Sequence, residues 1–283
     1  MGLFDLAEAH LAGLAVRVAA LEGGTAEPPV EPPEEPPVAY TPSPALILRS
    51  GDVVAGKSFT GYDYAVNAAS GAYNQAVTNA AVRDSRFDGC KFGVKVGTGP
   101  VSSGIALERL VARDCRIPLM LADMQDSTLT DLDLEGRPGS TTDHCLYLER
   151  GIKRMTGRNI RLTQGGGYCL HMYNPSDVPG EDITLEDVTL DATGGWLPLV
   201  IIGFRHVTLR RATLITTATD GPCIMLGGCE DLLIEDFEAS GGYSLVYSHG
   251  GCSGVVIRNG SYPGSKPLIL GTAAGVTFEG VMR

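Results

Sequence analysis

The chain has no excess of positive charge, few charges of either sign and few aromatic rings. Lys and Arg number 22 against 33 Asp and Glu, a formal net charge of -11. A nucleic-acid interface needs a basic footprint, so no nucleic-acid partner is expected. An acidic surface is equally unsuited to anionic membranes. No apolar run approaches the ~18 residues of a membrane span. The first residues carry Asp5 and Glu8 and lack a basic region, so no signal peptide is expected. MGLFDL has Leu6 where a myristoylation motif needs Ser or Thr. Seven cysteines, an odd number without a CxxC pair, make neither a disulfide framework nor a zinc site. They are expected to be reduced, small and buried, in a chain made in a cytoplasm. His10, His144, His171, His206 and His249 have no HExxH or HxH spacing. Walker, GxSxG and GxGxxG motifs are missing, so no metal and no cofactor is expected.

What the sequence does have is glycine, 37 residues of 283, and 43% hydrophobic residues, in three unlike stretches. Residues 1–24 read as a helix closed by Gly23-Gly24. Phe4, Ala7, Leu11, Leu14, Val18 and Leu21 alternate spacings of three and four, a heptad seam. The seam serves either an amphipathic helix on a neighbour or a short homo-oligomeric coiled coil. Residues 25–44 contain eight Pro and four Glu and read as an extended linker. Polyproline geometry would stretch it to roughly 60 Å. Residues 45–79 read as an irregular first coil or cap.

Residues 80–283 repeat a unit of apolar-x-apolar-polar-polar-apolar-x-apolar. Clear copies are STLTDLDL (127–134), ITLEDVTL (183–190), VTLRRATL (207–214) and LLIEDFEA (232–239). The third position of successive copies is Val82, Leu107, Leu129, Gly157, Leu185, Leu209, Ile234, Ile257 and Phe278, at intervals of 21 to 28 residues. Between the copies lie short apolar stretches: GVKV (93–96), PLML (118–121), CLYL (145–148), CLHM (169–172), LVII (199–202), CIML (223–226), SLVY (244–247) and PLIL (267–270). The period is too short for paired-helix repeats, and the LxxLxLxxN of leucine-rich repeats is missing. Three short strands per coil, with Asp or Asn at the bend between the first two, describe an all-β parallel β-helix solenoid of about nine coils. Nine coils at ~4.8 Å make a rod of about 43 Å.

This coil repeat resembles the right-handed parallel β-helix family, the fold of pectate lyases and of many phage tailspike and fibre proteins. The helix, Pro/Glu linker and β-helix in that order are also similar to a phage fibre or minor tail protein. The resemblance implies a virion location, extracellular action, and attachment to other virion proteins through the N-terminal segment.

The third strands supply the candidate surface. Taking Leu146 and Leu148 as inward, the outward column reads Lys95, Met120, Tyr147, His171, Ile201, Met225, Val246 and Ile269. A mostly apolar outward column marks a covered face. The cover is a loop of the same chain, symmetry mates about a threefold axis, or a ligand. A homotrimer is expected, with Phe4, Leu11, Leu14, Val18, Leu21, Met120, Tyr147, Ile201, Met225, Val246 and Ile269 at the interface. For catalysis, paired carboxylates would be needed, and no outward column supplies them. Asp143, His144 and Glu149 form the compact acid/base group near a third strand, with Asp123, Asp126 and Asp177 in nearby loops. Tyr147, Tyr173 and Trp196 are the candidates for stacking on a sugar. The expected function is a structural or receptor-recognising virion protein. The alternatives are a polysaccharide lyase or hydrolase on the same fold, or a non-catalytic carbohydrate-binding module.

Overall fold

A computed structural model describes residues 40–283 except 42–43, 70–73, 98, 140–142, 165, 175–177, 220 and 264–265. The expected helix of residues 1–24, most of the linker, and Asp177 lie outside the described residues. The body is a parallel β-solenoid. Among the described residues every strand pairing is parallel, in one ten-stranded and one sixteen-stranded sheet. No helix among them is long and apolar enough to cross a membrane.

The repeat column sets the register of the larger sheet. Val82 pairs with Leu107, Leu107 with Leu129, Leu129 with Gly157 and Gly157 with Leu185. The column continues through Leu209, Ile234 and Ile257 to Phe278. Val54 precedes it, paired with Val82 from the strand Val53–Ala55. These residues point into the rod because the polar residues beside them hold the other face outward. Gly157 breaks the aliphatic series for a steric reason. A Cβ there would lie 2.6 Å from Leu185 and 2.9 Å from Ile160, which fill its place.

Long strands such as Thr128–Gly136, Lys153–Gln164, Gly180–Ala192 and Phe204–Thr216 carry two faces of the coil each. The bend between these faces falls on the left-handed residues Asp131, Asn159, Asp187 and Arg211, with φ between +51° and +55°, and Arg154, Asp182 and His206 make a further left-handed bend near the start of the three longer strands. Asp and Asn tolerate this region because their short polar side chains bond locally. Where the residue is Arg, it reaches the acid of the coil below. Arg109 Nε lies 2.6 Å from Asp84, and Arg211 Nε 2.7 Å from Asp187. The bend column is therefore a ladder of exposed polar side chains.

A second corner depends on Gly241, at φ +84°. A Cβ there would sit 1.6 Å from the Thr216 carbonyl oxygen. Gly194 has a similar φ of +80° with nothing within 4 Å. Gly241→Ala should therefore cost more than about 2 kcal/mol, against about 1 kcal/mol for Gly194→Ala. Urea midpoints of the two variants compare the clash with the bare conformational cost. Equal losses would refute it.

The ten-stranded sheet departs from the expected register in three coils. Leu199 pairs with Leu170 and Ile224, so Val200 faces outward and Ile201 joins the core. Val246 pairs with Ile224, and Ile269 with Val246, which turns Tyr247 and Leu270 outward. Ile201, Val246 and Ile269 therefore pack on the rod interior and not on an outer interface. LVII, SLVY and PLIL have too little polar marking to distinguish the two faces, so period-2 alternation cannot be phased there. All seven cysteines are free and buried, and the Cys145 and Cys169 thiols are not joined.

Candidate functional site

The outward column of the ten-stranded sheet runs Asn67, Lys95, Met120, Tyr147, His171, Val200, Met225, Tyr247 and Leu270. Beside it, Tyr64 pairs with Phe92, and His144 with Tyr168. On the other side Glu149 and Tyr173 continue their strands past Leu148 and Met172, which are paired. The face is thus three side chains wide. Tyr147, Val200 and Met225 are buried although they point outward, at 3%, 2% and 5% exposure. The chain itself covers the middle of this stripe.

Two rows of rings cross the central coils. Tyr147 stacks on His171 with centroids 4.9 Å apart, and His171 on Tyr173 at 5.5 Å. Alongside, His144 stacks on Tyr168 at 5.1 Å, and Tyr168 on Trp196 at 5.6 Å. The rows meet edge-on where His144 and His171 rings approach to 4.4 Å. His171 Nδ1 and His144 Nε2 are 3.1 Å apart and share one hydrogen bond. Offset and edge-on rings of this kind attract one another beyond their burial. His171, Tyr173 and Trp196 are half-buried and form the solvent side, with His144 and Tyr147 beneath.

Burial governs the protonation of the cluster. It holds His144 down to about 3 and His171 well below the ordinary histidine value, with the neighbouring His144 adding to the effect on His171. Burial raises the Tyr147 hydroxyl, and the Glu149 carboxylate adds to this. Burial raises Glu149 as well, opposed by Arg150 and Lys95. The Lys95 ammonium lies 5.0 Å from the centroids of both Tyr64 and Phe92, and burial lowers its affinity for the proton. His144, His171 and Tyr147 are therefore neutral at pH 7.

Three buried polar atoms in this patch have no hydrogen-bond partner: His144 Nδ1, Tyr147 OH and Glu149 Oε2. Buried polar atoms are nearly always satisfied, and an exception needs an explanation such as a ligand or water. The shared His144–His171 bond leaves His144 Nδ1 as a bare donor or a bare acceptor, according to tautomer. Either is met by a hydroxyl, which can play both roles.

The expected acid/base group is only partly assembled. Asp143 is 1% exposed at its side chain and held by Arg116, with Nη2 at 2.9 Å and Nε at 3.0 Å. Asp123 is held by Arg150 at 3.2 Å, and Asp126 by Arg154 at 2.6 Å on the exposed surface. Glu149 and His144 both belong to the patch. Among the described residues no group of three or more His, Cys, Asp or Glu is arranged to hold a metal ion. Tyr147, Tyr173 and Trp196, singled out from the sequence, all belong to the ring cluster, Trp196 through Tyr168. Tyr168 and Arg116 were not anticipated. Tyr168 follows from taking His144 and the residue one coil later as neighbours. Arg116 had no such signal.

No family model matches the sequence, and no curated protein matches it. Solved structures do. The ORF18 protein of Geobacillus virus E2 aligns with a TM-score of 0.57 at 12% identity, covering 84% of this chain and 48% of that one. The A-module of the Azotobacter vinelandii mannuronan C-5 epimerase AlgE4 aligns at TM-score 0.45 and 14% identity, covering 82% and 84%. The tailspike protein gp49 of Acinetobacter baumannii bacteriophage Fri1, a capsular polysaccharide depolymerase, gives 0.46 and 11%, covering 84% and 47%. The chain spans about half the length of the Geobacillus virus protein. At 12% identity that likeness is one of fold, and the chain is a parallel β-helix similar in fold to the Geobacillus virus protein.

Proposed function

We propose that the chain is the β-helix of a phage fibre or tailspike-type virion protein, and that the ring cluster receives a host-surface polysaccharide. The observation that supports this is the cluster itself, with stacked rings on an outer sheet face and three unpartnered buried polar atoms among them. A sugar ring offers an apolar face of C–H groups and a rim of hydroxyls. Small-molecule sites of this kind are mostly apolar and aromatic with a few convergent polar groups. The virus protein that shares the fold favours a virion setting. In this reading residues 1–24 serve attachment and trimer formation, and residues 25–44 serve as spacer. Light scattering of the full chain should then give three times 29.7 kDa.

Binding is tested by calorimetry against a panel of capsular polysaccharides from bacterial hosts. Trp196→Ala and Tyr173→Ala should each weaken binding by about tenfold or more, as expected for aromatic anchors. Wild-type affinity in both variants would sink the reading. One observation favours a hydrolytic alternative: Glu149 is a half-buried carboxyl raised by burial, the usual state of a proton donor. Release of reducing ends by the wild type, lost in Glu149→Gln with binding intact, would move the assignment to an enzyme.

A further inference from the structure

Coil stacking sets cysteines above one another in three places, one of them Cys145 and Cys169, which lie between the His144–Tyr168 and Leu146–Leu170 pairings. Arg116 N donates to the Cys90 carbonyl at 3.0 Å, and Ser253 N to the Cys229 carbonyl at 2.8 Å. In a parallel ladder this places Cys115 over Cys90 and Cys252 over Cys229, as the Glu230–Ser253 bridge also requires. Neighbouring strands lie about 4.8 Å apart, inside the ~4.4–6.8 Å Cα separation that a disulfide spans. In these two pairs the side chains stand at the same register position of adjacent coils.

Access separates the pairs. Cys90, Cys115, Cys145 and Cys169 are fully buried, whereas Cys252 is 9% exposed over a Cys229 at 1%. Cys252 Sγ also accepts a hydrogen bond from Ser248 Oγ at 3.9 Å. The Cys229 thiol, backbone N–H groups and this hydroxyl hold Cys252 below the ordinary thiol range, while its partner is raised. The thiolate is the reactive form.

We propose that Cys229 and Cys252 form a modification site that takes a small disulfide, such as oxidised glutathione, and closes into an inter-coil disulfide bond. The Cys252 thiolate attacks one sulfur of the small disulfide, forming a mixed disulfide and expelling one thiolate. Cys229 gives its proton to that thiolate and attacks the Cys252 sulfur, expelling the second small thiol. Two protein thiols are oxidised and one small disulfide is reduced to two thiols. The bond ties the coil of Leu232 to the coil of Val255. Beyond them Ile269, Val276, Phe278 and Val281 are only partly buried against the core. A solenoid opens from its least-covered coils, since each coil touches only its neighbours. The new bond would hold those coils in place. This inference does not depend on the polysaccharide reading.

The test incubates the reduced full chain with oxidised glutathione, alkylates it under denaturing conditions and maps peptides by mass spectrometry. The expected result is a cross-link between Cys229 and Cys252, with slower amide exchange over residues 255–279. Cys229→Ser should instead retain glutathione on Cys252. Failure of the 229–252 cross-link while other cysteines react would overturn the proposal. So would cross-linking no faster in the folded chain than in urea.

Discussion

Acidification from pH 7 to pH 4 should remove on the order of 3 kcal/mol of stability through His144 alone. Burial holds this ring down to about 3 from the ordinary histidine value of 6.5. Between those values the unfolded chain binds a proton that the native chain refuses. Stability therefore falls as the pH drops from 6.5 toward 3. His171 acts in the same direction, being held down by burial and by its neighbour. Glu149 acts in the opposite direction. Its raised carboxyl keeps a proton in the native state above 4.5, so its contribution weakens as the pH rises. The other rings packed on the pair are those of Tyr147, Tyr168 and Tyr173. The measurement is the urea unfolding free energy at pH 7, 5.5 and 4, for wild type and for His144→Phe, His171→Phe. The double variant should show a much flatter decline, whatever its absolute stability. Parallel declines would show that the histidines titrate normally in the fold.

Arg116→Met should destabilise the protein by about 2–4 kcal/mol, because it removes the guanidinium that pairs with a carboxylate water does not reach. The Asp143 side chain is 1% exposed and takes two hydrogen-bonding contacts from Arg116 across one coil step. Gln164 Nε2 donates to the Asp143 backbone carbonyl at 2.7 Å, which fixes the same corner. Arg154→Met is the control. Its partner Asp126 is half exposed, so the carboxylate is rehydrated when the pair is cut. Thermal melts of the two variants should separate clearly, with Arg154→Met near wild type. Equal melting temperatures would mean that Asp143 is held by its other bonds. The corner also flanks the ring cluster, so loss of Arg116 should loosen His144, the next residue along the chain.

The coil repeat was legible because polar residues flank each inward aliphatic one. From Val82 to Phe278, all nine positions of that column pair as the spacing required. The bend was legible for a different reason, since Asp and Asn recur where the backbone turns left-handed. The third strands were legible only in part. CLYL and CLHM phase correctly because Tyr147 and His171 mark the outer face, whereas LVII has no such mark. The site was half visible. Tyr147, Tyr173, Trp196, His144 and Glu149 could be picked out as residue types. Their convergence could not, because it joins residues 24 to 28 positions apart through an exact coil length. The Arg116–Asp143 pair hid for the same reason, at a separation of 27.

The ladders between coils have one more consequence. Their hydrogen bonds run along the axis of the rod, each coil bonded only to the one above and below. A pull along the axis loads the rungs in series, so every rung carries the full force and the weakest parts first. A pull across a coil instead loads the covalent backbone around its perimeter. The solenoid is thus a spring that fails one turn at a time when stretched and a stiff ring when squeezed from the side.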